Sequence, residues 1–527
     1  MKPEDIKFES PAPAENSIPL TIAALEYFLS LDLKKTPLNQ WQETGWERAK
    51  WFNGLSKTPL PEINLREWFD IVIEKLLKES GRDEEKEIYE EFKTQKTKAT
   101  HTLANYLVKK YHTVTTGEAV RELYAYENGF YSRAENEIIY PEVKRILGDQ
   151  FTKNAKSETF EKIISTNYYS RFVFTSAPTN LIPLKNGVYD MTTKSLLPHS
   201  PEYRFRYQFP VIYDRDATCP KTQAFMGQIL TPEQITVLEE WLGYYFYRLY
   251  SFKKAIIFVG EGNTGKTTLL EIISYLLGRN NISSVSLHSL AGDKFATSNL
   301  EGKHGNLVDE LSVQDVAGTG NFKMATGNGS ILGEHKFGNK FSFVNFSKLT
   351  FACNRIPDVA DFNDDAYFNR WIVINFGKSI AKQIPNFAAT ITTEEERSGL
   401  FNLAMKGLER LLSQGEFSHD KSAFEIKSDM MRSGSSVARF AMENVMQEMG
   451  AEMTKETMYD AYTNYCANEG YSSETIKMFG KKLPLYVSYV SEGLVHSIKD
   501  SRARGWRNVK LKATPEENKK EDEFNGL

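Results

Sequence analysis

The stretch from Ala255 to Gly278 limits the possible folds more than any other part of the chain. The apolar run AIIFV leads into Gly260-Glu261-Gly262-Asn263-Thr264-Gly265-Lys266-Thr267, and TTLLEIISYLLG follows with apolar residues at helical spacing. A strand, a glycine-punctuated loop and a helix in that order make a phosphate-binding loop, which belongs in an α/β core. Glycine lets the backbone wrap around an anion, so that successive N–H groups and the helix N-terminus donate to it. Lys266 brings a positive charge to the β- and γ-phosphates, the Thr267 hydroxyl completes a Mg²⁺ shell, and Thr268 is the next residue of the nucleotide-binding set. The expected ligands are ATP and Mg²⁺.

Nucleotide hydrolysis also needs acids. In GKHGNLVDELS a short strand, NLV, would deliver Asp309 to the metal and Glu310 to the attacking water at the carboxyl edge of the sheet. Gly305 and Asn306 interrupt the apolar run there and leave the division of labour between the two carboxylates open. The strand LTFAC ends at Asn354, whose amide would contact water or the γ-phosphate unless it is an ordinary turn residue before Pro357. Arg370 precedes the strand WIVINF. It would face a neighbouring subunit's nucleotide, where a fixed guanidinium neutralises developing charge, or else form a surface salt bridge with Asp364 or Asp365.

Composition restricts the remaining readings. The 527 residues imply three or four domains, and 65 Lys and Arg against 69 Asp and Glu give a net charge of −4, which excludes a uniformly basic binder. Three widely spaced cysteines, Cys219, Cys353 and Cys466, argue against a disulfide framework and a zinc site. The polar start MKPEDIKFESPAPAEN is no signal peptide, and no stretch approaches the ~18 apolar residues of a membrane span. The expectation is a soluble protein of the cytoplasm or nucleoid. A solvated arm to about residue 16 opens a helical block over 1–99, whose charged end GRDEEKEIYEEFKTQKTKA reads as an exposed helix or a linker. An α+β module follows over 100–235, with hairpins at Asn128-Gly129 and Asn186-Gly187. The α/β core spans 236–415, a C-terminal domain 416–512, and 513–527 form a disordered tail.

Between Lys477 and Lys512 nine Lys and Arg face only Glu492 and Asp500, an excess of seven. Helices followed by a β-ribbon suit a winged helix. SSETIKMFGKKLPLY would be its recognition helix, capped by Ser472 or Ser473 and bearing Lys481 and Lys482, and DSRARGWRNVKL its wing, bearing Arg504 and Arg507. A solvated charged surface or a protein-docking domain is the alternative. Tyr459, Tyr462 and Tyr465 fall at helical spacing and read as core.

Within 260–370 the loop, the acidic pair, the asparagine and the arginine resemble, in order and spacing, the superfamily 3 helicases of viruses, phages and plasmids. Within these they are similar to the helicase half of the satellite-phage and poxvirus type of primase-helicase. LIPLKNGVYDMTTKSLLPHSPEYRF looks like the module that precedes the ATPase there, so the likeness extends over about 100–512. The resemblance implies an AAA+ P-loop core with Lys266, Asp309, Glu310, Asn354 and Arg370 as its catalytic set, working as a ring-shaped homo-oligomer, a hexamer, around single-stranded DNA. Its channel hairpin falls on ILGEHKF and FSFVNF, with the gripping tip at Lys336 and Phe337 and Lys340 across the turn; a solvated hairpin is the other reading. Residues 1–99 carry no paired metal-binding acids with a histidine, so the expectation is a helicase without primase activity, served by a separate primase or polymerase. The resulting expectation is an ATP-dependent replicative DNA helicase of a mobile element, with the C-terminal domain binding duplex at an origin. An initiator that melts an origin without processive unwinding and a protein-remodelling P-loop ATPase are the competing readings.

Overall fold

In the computed structural model the residues described are 22–33, 38–56, 59–79, 82–117, 121–293, 295–311, 318–334, 340–357, 364–380, 383–418, 421–487, 489–496 and 502–512. The expected arm and tail lie outside them, as do Lys336 and Phe337. Two compact units form, Met1–Ala177 with Ser200–Arg206 and Pro178–His199 with Tyr207–Leu527. Among the described residues no helix is long and apolar enough to cross a membrane.

The first unit begins with helices Ile22–Leu33, Leu38–Gly54 and Glu62–Glu79, which bury Leu25, Leu29, Phe52, Phe69 and Ile73 in one cluster. The boundary expected at 99/100 falls inside the helix Lys96–Tyr111. The charged run before it is mainly the helix Asp83–Thr94, and its Ile88 and Phe92 join Leu103, Leu107, Val143 and Ile163 in a second core. A few apolar residues on one face are enough to tie this segment to the helices after it. Glu85, only 1% exposed, is tolerated because it accepts hydrogen bonds from Arg82, Tyr106 and Arg145. The hairpin at Asn128-Gly129 forms as read, with both residues at positive φ (55° and 95°) and Glu127 facing Phe130.

The second hairpin, Leu181–Leu184 with Gly187–Asp190, belongs to the other unit and turns one residue earlier than expected, at Lys185-Asn186. That unit is built on five parallel strands, numbered here within their sheet: β1 Ala255–Val259, β2 Ile282–Ser283, β3 Gly305–Val308, β4 Lys348–Cys353 and β5 Trp371–Asn375. Their spatial order is β5-β1-β4-β3-β2. All of β1 is buried, as a strand covered on both faces requires. The two residues that interrupt β3 have packing explanations. A Cβ on Gly305 would come within 2.9 Å of Leu277 and 3.2 Å of Tyr245. Asn306 is fully buried but satisfied, accepting from Ser283 Oγ (2.9 Å) and Val285 N (2.7 Å) and donating to Val285 O (2.9 Å).

The helix Ala423–Gly434 lies beyond the expected edge of the core at 415, yet its Ile426 and Met430 pack into the same cluster as Phe368 and Trp371. The C-terminal domain proper starts with the helix Ser436–Asn444. The strand Val445–Thr454, helices Lys455–Glu469 and Ile476–Tyr486, and strands Ser491–Val495 and Ala503–Leu511 complete it. Its antiparallel sheet places the last strand centrally. Val445–Thr454 went unread as a strand because its Met- and Glu-rich sequence carries no clean alternation, and its register breaks between Gln447 and Glu452. The cap of Ile476–Tyr486 is Thr475, whose side chain accepts from Met478 N, and not Ser472 or Ser473. Tyr462 is fully buried and Tyr459 and Tyr465 pack against the same core, as their spacing implied.

Candidate nucleotide site and nucleic-acid surfaces

Four carboxyl-terminal strand ends converge at one edge of the parallel sheet. β1 runs into Gly260, whose N–H donates to Cys353 O at the end of β4 (3.2 Å), and Phe376 N after β5 donates to Val259 O (2.7 Å). The loop then turns through Asn263 and Gly265, both at positive φ (62° and 94°), and the helix Lys266–Leu277 begins. A side chain at Gly265 would be strained by that φ and crowded by Ile229, Ile380 and Phe225.

Lys266 is 8% exposed, with its ammonium held by neutral acceptors: Gly260 O (2.6 Å), Glu261 O (2.8 Å) and Thr264 Oγ1 (3.3 Å). Burial lowers its pKa from the ordinary lysine value, an effect that Cys353, Glu261 and Asp309 offset in part. Each of those acceptors can be exchanged for a phosphate oxygen without leaving a carboxylate unpaired. Thr267 Oγ1 donates to Asp309 Oδ1 (3.0 Å). Hard oxygen donors of this kind suit Mg²⁺, which keeps several of its ligands as water and phosphate. No group of three or more His, Cys, Asp and Glu poised to hold a metal is found among the described residues. Glu310 and Asn354 are exposed at the ends of β3 and β4.

A cavity of about 530 Å³ joins these groups; Lys266, Thr267, Thr268, Asp309, Glu310 and Asn354 all line it. Its other wall, which the sequence reading missed, holds Phe225, Gln228, Ile380, Gln383, Ile384 and Phe387. Phe225 and Phe387 meet edge to face at 5.6 Å, and Ile380 N donates to Asn263 O (2.8 Å). These residues flank the loop from about 35 positions before it and over 110 after it, so no contiguous motif contains them. Aromatic and aliphatic surface beside a phosphate loop can take a planar base.

Arg370 does not line this cavity. Its Nη1 donates to Ala366 O, its Nε is buried with no partner among the described residues, and burial lowers its pKa, Asp364 opposing. Among the described residues neither alternative ion pair, with Asp364 or with Asp365, is formed. Asp364 pairs instead with Lys323 (2.7 Å), a residue the motif reading passed over. The hairpin strands Ser330–Glu334 and Lys340–Val344 pair antiparallel, Glu334 opposite Lys340, and Lys340 is exposed.

In the C-terminal domain the four expected DNA contacts divide. Lys482 is paired with Glu474 (3.1 Å) and Arg507 with Glu452 (3.2 Å). Lys481 and Arg504 are exposed, with no carboxylate partner among the described residues.

Comparison with known proteins adds two family matches. Residues 38–231 match a family described as D5 N terminal like, and residues 258–370 match a family of unknown function, DUF5906. In general terms, the chain is similar to phage-type primase-helicases. The expectation that primase activity is absent gains no support, since that family includes primases. No curated protein matches. Two solved apo structures of the NrS-1 C-terminal region align over 77% and 78% of this chain and 99% and 100% of theirs, at 11% and 12% identity. Their TM-scores of 0.43 and 0.42 are too low to establish a shared fold.

Proposed function

We propose that the protein is an ATP-dependent replicative DNA helicase of a mobile element, with a superfamily 3 AAA+ core acting as a hexameric ring and a C-terminal winged helix that binds duplex. The observation that carries this reading is the convergence of Lys266, Thr267, Asp309, Glu310 and Asn354 on one cavity at the carboxyl edge of a sheet ordered β5-β1-β4-β3-β2. Ligands of open α/β sheets bind at that edge. In this reading Lys266 exchanges its backbone acceptors for β- and γ-phosphate oxygens. Thr267 and Asp309 would hold Mg²⁺, which when bound neutralises phosphate charge. Glu310 takes the proton of the attacking water, and Asn354 orients that water. Arg370, outside its own subunit's cavity, supplies its guanidinium to the neighbouring subunit's nucleotide.

Lys336, Phe337 and Lys340 would line the ring's channel, cations following phosphates and the ring stacking on bases. The helix-strand-helix-helix-strand-strand order from Ser436 to Leu511 supports the winged helix. It equally favours an initiator that binds an origin without processive unwinding. Single-stranded DNA should raise ATP turnover severalfold, and Lys340→Ala should blunt that rise while leaving turnover without DNA unchanged. Turnover indifferent to DNA would refute the helicase reading and leave a protein-remodelling ATPase.

A further inference from the structure

The bond pattern around Asp364 gives Arg370 an unusual support. One carboxylate oxygen, Oδ2, accepts from Lys323 Nζ (2.7 Å) and Thr319 Oγ1 (2.7 Å). The other, Oδ1, accepts from Tyr367 N (3.1 Å), capping the helix Asp365–Phe368. Arg370 hangs from that same turn, its Nη1 donating to Ala366 O and its N–H to Tyr367 O (3.1 Å). Four residues of helix are far below the length that holds itself together, so the turn depends on its cap and its packing. The packing comes from the helix that carries Lys323, Gly320–Ala325: its Phe322 stacks on Trp371, with centroids 4.6 Å apart and planes at 14°, and touches Tyr367.

The charges matter as much as the anchoring. The Asp364 side chain is 10% exposed and lies within electrostatic reach of Arg370. An unoccupied carboxylate there would draw the guanidinium into an ion pair and take it away from a phosphate. Lys323 occupies it.

We infer that Lys323 is a positioning residue for Arg370, holding the Asp364 cap in place and keeping that carboxylate off the guanidinium. The inference rests on the trans reading of Arg370 given above. Lys323→Ala should lower kcat for ATP roughly tenfold with KM nearly unchanged, because a group that acts only on transition-state charge leaves ground-state binding alone. Lys323→Arg, which can still reach Asp364, should restore most of the rate.

Mixed rings supply the decisive test. Lys323→Ala subunits keep an intact pocket and lack a well-placed arginine. They should therefore recover turnover when mixed with Lys266→Ala subunits and not when mixed with Arg370→Ala subunits. Arg370→Ala with Lys266→Ala is run alongside. No recovery in that control overturns the trans reading itself. Recovery in the control but not with Lys323→Ala, or wild-type kcat in Lys323→Ala, overturns this inference alone.

Discussion

The cavity around Lys266 and the C-terminal domain were both marked in the sequence by basic residues, yet the fold treats those residues in opposite ways. Lys266 sits in a slot among carbonyl and hydroxyl oxygens. In the C-terminal domain Lys482, Arg507 and Lys510 are matched to Glu474, Glu452 and Glu448. The excess of seven charges between Lys477 and Lys512 is a property of a sequence window. All three glutamates lie outside that window and arrive with the neighbouring strand and the segment before the helix Ile476–Tyr486. A cation held by neutral acceptors is ready for an anion, whereas one held by a carboxylate must give up a partner first. Exposed pairs of the second kind contribute at most about 1 kcal/mol, so the cost of exchange is small but real.

The strongest way to break this comparison is Lys266→Ala. It should reduce ATP turnover by about 10²–10³-fold, as loss of a preorganised electrostatic group does, while circular dichroism stays that of the wild type. Near-normal phosphate release would mean that the slot is structural only.

A smaller effect sharpens the other side. If duplex DNA binds the C-terminal domain through phosphates, Lys481→Ala and Arg504→Ala should each flatten the log-log salt dependence of binding by roughly 0.9. Lys482→Ala and Arg507→Ala should flatten it less, because each cation is already shared with a glutamate. Fluorescence anisotropy at several salt concentrations measures all four, and equal slopes would erase the distinction.

These contrasts also show how far the sequence could be read. The strand-loop-helix at Ala255–Leu277 and the placement of Asp309, Glu310 and Asn354 at strand ends were legible because each lies within one contiguous stretch, an apolar strand and the turn that follows it. Phe225 and Phe387 were not, since only tertiary folding brings residues 162 positions apart to one cavity wall. The boundary at 99/100 failed for a related reason: high charge density hid the single buried stripe of Asp83–Thr94. Val445–Thr454 was missed because a central partner strand, 49 residues further on at its first residue, stabilises a sequence with weak strand character of its own.

The smallest expected effect concerns Asp364. Burial pushes its carboxyl up, but the Lys323 ammonium, the Thr319 hydroxyl and the Tyr367 N–H outweigh that and hold it below the usual carboxylate range. A carboxylate depressed by folding contributes stability that is present above its unfolded pKa and is lost as pH falls through its folded one. The thermal stability difference between wild type and Asp364→Asn should therefore shrink on acidification below the ordinary aspartate range near ~3.9. A difference independent of pH would mean that Asp364 acts as a cap alone.

The central claim is that the cavity around Lys266 drives movement along DNA, and strand displacement on a forked duplex tests it most directly. Wild-type protein with ATP and Mg²⁺ should release the displaced strand over many base pairs; omitting ATP or using Lys266→Ala should abolish release. Steady ATP hydrolysis by the wild type without any strand release would contradict the account and leave an origin-binding or remodelling ATPase in its place.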